Sequence, residues 1–190
     1  MNTSQVFLRK NGSEQIYSIS AKKGKCGGQF RCTTALKGFR EMVMETVNLN
    51  NCYGCGKDNP TGLRLNVSHI GDKSHIEFEV KPRYCGYPGV MHGGVAAILF
   101  DEAMFHAIAK SGIEAVTASM SIEYISPAFE GHVLVCEGEI EKRDGRKIDV
   151  IATLTDAASG KLIAKARGRF VEVDLEKVLD VIPGEKHDPL

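Results

Sequence analysis

Hydrophobic and polar positions follow two different periods along this chain. Between His75 and Val80 the apolar residues Ile76, Phe78 and Val80 alternate with polar ones, as in a half-buried strand. Leu63, Leu65 and Val67 make a shorter alternation before it, behind the turn-rich stretch NCYGCGKDNPTGLRL. A Gly/Pro loop over 82–94 leads into Val95–Ala109, where twelve of fifteen residues are apolar and none is Gly or Pro. That run predicts a long helix, closed by Lys110, Ser111 and Gly112 as a basic last turn and a glycine stop. The period then returns to two. Val116, Ala118, Met120, Ile122 and Tyr124 alternate with Thr117, Ser119, Ser121 and Glu123 until Ser126-Pro127 ends the strand. Val133–Ile140 and Ile148–Thr155 read as strands joined through Asp144-Gly145, a turn in which glycine supplies the positive φ. A further turn over 157–160 leads to alternation over 162–173. One buried helix followed by consecutive antiparallel strands predicts an α+β domain over 42–174. Leu175, Val178, Leu179 and Ile182 predict a brief helix within the 175–190 tail.

Residues 1–41 keep neither period, and Gly24, Gly27 and Gly28 interrupt them. They read as an extension that is disordered or lies upstream of the natural start, since Met42 and Met44 stand at the change of composition. Charge separates the same two pieces. The whole chain balances 24 basic against 24 acidic residues, but residues 1–41 carry eight basic and two acidic ones. The remainder therefore has 16 against 22, a net −6 that argues against general binding to nucleic acid or anionic membrane. No stretch approaches the ~20 apolar residues of a membrane span, and the N-terminal residues lack a secretory apolar core. A cytoplasmic protein with reduced thiols is expected; six Cys in 190 residues are too few for a disulfide scaffold.

A helix apolar on all sides needs protein on all sides. A sheet wrapped around it, or a partner subunit, would provide that. Its exceptions are Asp101, Glu102 and His106. Glu102 and His106 stand at i and i+4 and can pair on one face. Asp101 has only Ala97, Ile98, Met104 and Phe105 one turn away, so it has no local partner and marks a candidate site. His92-Gly93-Gly94 opens the helix, where bare amides and the positive end of the helix dipole favour a ligand oxygen. Gly94 and Asp101 are separated by seven residues, ~10 Å along one helix at ~1.5 Å per residue. Both cannot act on one carbonyl. Two antiparallel helices across a two-fold axis can, with the glycines of one facing the acid of the other.

The motif PGVMHGGVAAILFDEAM, with the acid nine residues after His92, resembles the core of hotdog-fold acyl-CoA thioesterases, the phenylacetate-pathway type in particular. VTASMSIEYISPA and CYGCGKDNPTGL are also similar to members, and the likeness covers roughly residues 50–173. It implies an antiparallel sheet wrapped around one central helix, a homodimer often paired into a homotetramer, and hydrolysis of an acyl-CoA thioester. By the same resemblance, Asp101 matches the catalytic acid, as base toward water or as nucleophile. Gly93 and Gly94 match the amides that polarise the carbonyl, His92 supports that turn, and Thr117 matches a hydroxyl that helps place water or substrate. Coenzyme A would enter as part of the substrate, with no other cofactor and no metal. Lys81, Arg83, Arg143, Arg146, Arg167 and Arg169 are candidates for its phosphates, and Tyr87, Phe100, Met104, Phe105 and Tyr124 for the acyl pocket.

Rival readings weigh less. A hotdog dehydratase needs His where Pro88 stands, and a hydratase needs Asn-Pro between acid and His, which Glu102–Phe105 lack. A non-catalytic acyl-CoA sensor would use 1–41 as an arm, but no helix-turn-helix pattern is present there. Cys26 and Cys32 with Cys52 and Cys55 make only half of a familiar zinc spacing, and the resemblance treats the latter two as loop residues.

Overall fold

The computed structural model describes residues 3–10, 13–20 and 49–174. The chain divides into two units, Met1–Met42 and Val43–Leu190. In the first, strands β1 (Thr3–Lys10) and β2 (Ser13–Ser20) form an antiparallel hairpin, with Thr3 opposite Ser20 and Lys10 opposite Ser13. The sequence predicts no regular structure there; a hairpin closes locally and needs no long apolar alternation to set its register. Met42, Met44 and the helix predicted within 175–190 lie outside the described residues.

Among its described residues, the second unit packs one long helix on a six-stranded sheet, with a separate two-stranded pair. Strands β3 (Val67–Ile70) and β4 (Lys73–Glu79) come first, followed by the short pair β5 (Cys85–Tyr87) and β6 (Val90–Met91). Helix α1 (Gly93–Ala109) leads to β7 (Ala115–Tyr124), β8 (Val133–Asp144), β9 (Lys147–Asp156) and β10 (Leu162–Glu172). Six strands form an antiparallel sheet in the order β3-β4-β8-β9-β10-β7. The β8–β9 turn has Gly145 at φ 57°, the left-handed value that the Asp144-Gly145 pair predicts. Among the described residues no helix is long and apolar enough to cross a membrane.

Period-two alternation aims one face of the sheet at α1. Ile76 and Phe78 of β4, Leu134 and Cys136 of β8, Ile148, Val150 and Leu154 of β9, and Phe170 of β10 are buried together with Leu99, Phe100, Met104 and Ile108 of the helix. The helix lies very close to the sheet at Gly138. A Cβ there would stand 2.7 Å from the carbonyl oxygen of Ala103, closer than real side chains approach. Beside it the buried Ser74 hydroxyl donates to that Ala103 oxygen at 2.6 Å and accepts from the Gly138 N–H at 3.2 Å. Register shifts in β8 and β10 interrupt the ladder, and such bulges add the local twist that lets a sheet curl over a helix.

Strand β7 departs from strict alternation. Arg169 pairs with Ser119 but Phe170 with Thr117, which leaves Ala118 as an extra residue. Side chains on the helix side are therefore Ala115 and Thr117 before the bulge, and Met120, Ile122 and Tyr124 after it. Val116 and Ala118, expected with the apolar set, are exposed instead.

Gly138→Ala should lower the stability of the folded unit by about 1–3 kcal/mol, the usual cost of overpacking a tight contact. Chemical denaturation read by far-ultraviolet circular dichroism checks this, and an unchanged midpoint would show that the helix does not need that close approach.

Candidate active site

The sheet covers one side of α1 only. Ala96, Leu99, Phe100, Ala103, Met104, Ala107 and Ile108 face it, while Ala97, Ile98, Asp101 and Phe105 form a half-buried stripe at helical spacing on another side. Asp101 stands in that stripe. Its Oδ1 accepts a 2.6 Å hydrogen bond from the Thr117 hydroxyl, which the bulge in β7 has turned toward the helix. Sixteen residues apart in sequence, these two predicted site residues are thus brought together. Strand β7 is an edge strand, paired with β10 alone among the described residues, and most of its residues are exposed.

The helix start is built around His92. The main chain of Tyr84 holds it, with His92 N–H donating to the Tyr84 carbonyl at 2.8 Å. Its ring then folds back as the N-cap: Nδ1 accepts from the Gly94 N–H at 2.9 Å. A Cβ on Gly86 or Gly94 would come within 3.0 Å of that ring, so glycine is what the cap requires on either side. This corrects the expectation that both glycine amides stand bare. Gly94 spends its N–H on the cap, and the Val95 N–H bonds the His92 carbonyl at 2.9 Å. Among the described residues no hydrogen bond engages the Gly93 N–H, so the open amide at the positive end of the helix is that of Gly93. The Gly93 carbonyl accepts from the Tyr124 hydroxyl at 2.8 Å, which fixes the peptide on its other side.

An open groove of about 340 Å³ runs beside Gly93, lined by Met91, Ala96, Tyr124, Pro127 and Ile163 among others. Of the side chains expected to shape an acyl pocket, Tyr124 lines it. Phe100 and Met104 are fully buried in the core instead, and Tyr87 is 80% exposed. Asp101 lies eight residues along the helix from Gly93, about 12 Å at ~1.5 Å per residue. The groove and the acid of one chain are separate places.

Glu102 points elsewhere. It is 8% exposed, accepts from Cys52 Sγ at 3.3 Å, and has His106 Nε2 3.5 Å from its Oε2, so the i,i+4 neighbourhood is observed. Burial alone would raise its pKa, but the His106 ring and the Cys55 and Cys52 thiols beside it outweigh burial and hold it below the ordinary value. Among the predicted phosphate-binding cations, Arg143 pairs with Glu172, Arg167 with Glu141, Arg169 with Asp149 and Lys81 with Glu79, while Arg146 donates to the Glu172 carbonyl. Arg83 differs: it bonds the Tyr84 hydroxyl at 2.8 Å and has no carboxylate partner among the described residues.

Comparison with known proteins bears on this arrangement. Residues 88–163, from the loop before α1 into β10, match the family model described as the thioesterase superfamily. Human acyl-coenzyme A thioesterase 13 is 32% identical over 137 residues, covering 71% of this chain and 94% of that protein. Mouse acyl-coenzyme A thioesterase THEM4 is 32% identical over 94 residues, so the chain spans only 40% of the length of that relative. Among solved structures, zebra fish thioesterase superfamily member 2 superposes with a TM-score of 0.57 at 26% identity, over 68% of this chain and 97% of that one. The E. coli PaaI protein from the phenylacetic acid degradation operon shares the fold, with a TM-score of 0.58 at 17% identity over 72% of this chain and 93% of that one.

His92→Ala should remove the cap and cost about 1 kcal/mol of stability, as loss of an N-cap side chain does elsewhere. A thermal melt measures it. A melting temperature unchanged from wild type would mean that the ring does not hold the helix start.

Proposed function

Because the chain belongs to the thioesterase superfamily, with the hotdog arrangement of one long helix on an antiparallel sheet, we propose that it hydrolyses acyl-coenzyme A thioesters in sites shared between two copies. One observation carries this reading. The Asp101–Thr117 pair lies on the half-buried stripe of α1 next to β7, which pairs with β10 alone among the described residues, about 12 Å from the Gly93 amide of its own chain. An edge strand of ten residues with exposed hydrogen-bonding groups favours pairing with another strand. Pairing β7 with β7 of a second copy about a two-fold axis would cover the stripe of each helix. It would also set Asp101 of one copy facing Gly93 of the other. The same reasoning admits a tetramer of such dimers.

In that site the thioester carbonyl oxygen sits on the Gly93 N–H, where the helix dipole and a fixed amide favour the charge that develops on attack. One such donor is worth roughly 3 kcal/mol in the transition state. Asp101 of the second copy takes a proton from water as its oxygen attacks the carbonyl carbon, and Thr117 holds the carboxylate in place. The C–S bond then breaks, the acid and the coenzyme A thiolate leave, and the proton passes to the sulfur. Attack by Asp101 itself, through an anhydride that water then opens, uses the same geometry. The apolar groove beside Gly93 receives the acyl chain, and Arg83, next to the Tyr84 carbonyl that anchors His92, is a cation placed to meet a coenzyme A phosphate.

Asp101→Asn should lower kcat/KM by about 10²–10⁴-fold, the range for loss of a general base, with the fold and oligomeric state unchanged. Thr117→Val should cost less, about 10–100-fold, the worth of a hydrogen bond to a charged group. Release of free thiol from aromatic, short-chain and long-chain acyl-CoAs measures both. Near-full activity of Asp101→Asn across the panel would overturn the assignment.

A further inference from the structure

On the covered side of α1 the residues Cys52, Cys55, Glu102 and His106 meet, although none takes part in the proposed reaction. Cys52 and Cys55 belong to a tight turn closed by the Gly56 N–H on the Cys52 carbonyl at 3.0 Å. A Cβ on Gly56 would strike the carbonyls of Asn50 and Cys52 at 2.3 and 2.4 Å. Gly54, between the two cysteines, comes so close to Glu102 that a Cβ would lie 2.2 Å from its Oε1. The turn is shaped to lay both sulfurs on that carboxylate. The two Sγ atoms and a Glu102 carboxylate oxygen all lie within 4.8 Å of one another.

Hydrogen bonding leaves this cluster incomplete. Glu102 Oε2 and His106 Nε2 are buried with no hydrogen-bond partner, and they stand 3.5 Å apart. Uncompensated polar atoms in a core are costly, and each needs an explanation. Two donors on one tetrahedral zinc, at bond lengths near 2.0–2.3 Å, are separated by about 3.3–3.8 Å. The Glu102–His106 spacing already fits that separation, and the two sulfurs and the Glu102 oxygen, all within 4.8 Å of one another, would close by roughly 1–1.5 Å as the turn draws in toward Glu102 and His106. We propose that Cys52, Cys55, Glu102 and His106 hold one zinc ion.

Two sulfurs, one nitrogen and one oxygen are a donor set that suits zinc and disfavours magnesium or calcium. Binding Zn²⁺ releases the two thiol protons to solvent, and two thiolates, one carboxylate and a neutral imidazole then leave the site at −1. A disulfide between Cys52 and Cys55 would serve worse. It would remove both thiol donors from Glu102 and still leave Glu102 Oε2 and His106 Nε2 unsatisfied. Four protein ligands close the coordination sphere, so the ion is structural: it pins the turn of residues 52–56, which precedes β3, to the middle of α1.

The test uses the full chain, purified without chelator from zinc-supplemented cells. Elemental analysis should find about one zinc per chain in the wild type, in Cys85→Ser and in the Cys26→Ser/Cys32→Ser double variant. It should find almost none in Cys52→Ser/Cys55→Ser. Removing zinc from the wild type and adding cobalt should produce a thiolate-to-cobalt charge-transfer band together with intense visible d–d bands. That titration decides the matter alone if the double variant does not fold. A wild type that holds no zinc and gives no charge-transfer band overturns the proposal. So does loss of zinc in either control variant, or an intact mass short by two hydrogens that maps to a Cys52–Cys55 disulfide.

Discussion

Everything in the folded unit follows from one mismatch: a helix apolar at twelve of fifteen positions lies on a sheet that can cover only one side of it. The covered side is drawn in as far as atoms permit. At Gly138 no side chain fits, and Ser74 ties the Ala103 carbonyl to the sheet backbone. The other side remains a half-buried stripe of Ala97, Ile98, Asp101 and Phe105 beside β7, an edge strand among the described residues. Apolar surface of that kind lowers its free energy when a second surface covers it. The acid is placed where that second surface would arrive.

Neighbouring acids on one helix turn thereby acquire opposite characters. Successive positions point ~100° apart, so Asp101 and Glu102 cannot share an environment. Asp101 sits on the half-buried stripe, where the Thr117 hydroxyl donates to it. Glu102 sits under the Cys52–Gly56 turn with two thiols and an imidazole nearby, and those groups keep it ionised against the effect of burial. In the proposed site the first faces water and substrate, while the second lies against the loop that carries Cys52.

Much of this was legible in the sequence where the signal is local and periodic. The helix over 95–109, the strands on either side of Gly145 and the oddity of Asp101 all follow from spacing within a few residues. Long-range terms were not legible. The bulge at Ala118, which turns Thr117 toward Asp101, depends on the register of β10 and leaves no mark in the β7 alternation itself. His92 as N-cap is invisible for another reason: histidine is not a usual capping residue, and its ring reaches Gly94 only because Gly86 and Gly94 leave room. The contact of Glu102 with Cys52 spans fifty residues and needs the tertiary fold to exist. Phe100 and Met104 read from the sequence as pocket lining, but the sheet occupies their side of the helix.

In the proposed enzyme each site combines Gly93 of one copy with Asp101 of another. Co-expression of two inactive variants, Asp101→Asn and Gly93→Val, tests it directly. In a mixed dimer one of the two sites would contain both native residues, so a random mixture of the two chains should recover about a quarter of wild-type activity. If mixed dimers form, as shown by two different affinity tags on one particle, and activity stays at the level of the separate variants, the site is not shared and the account is wrong.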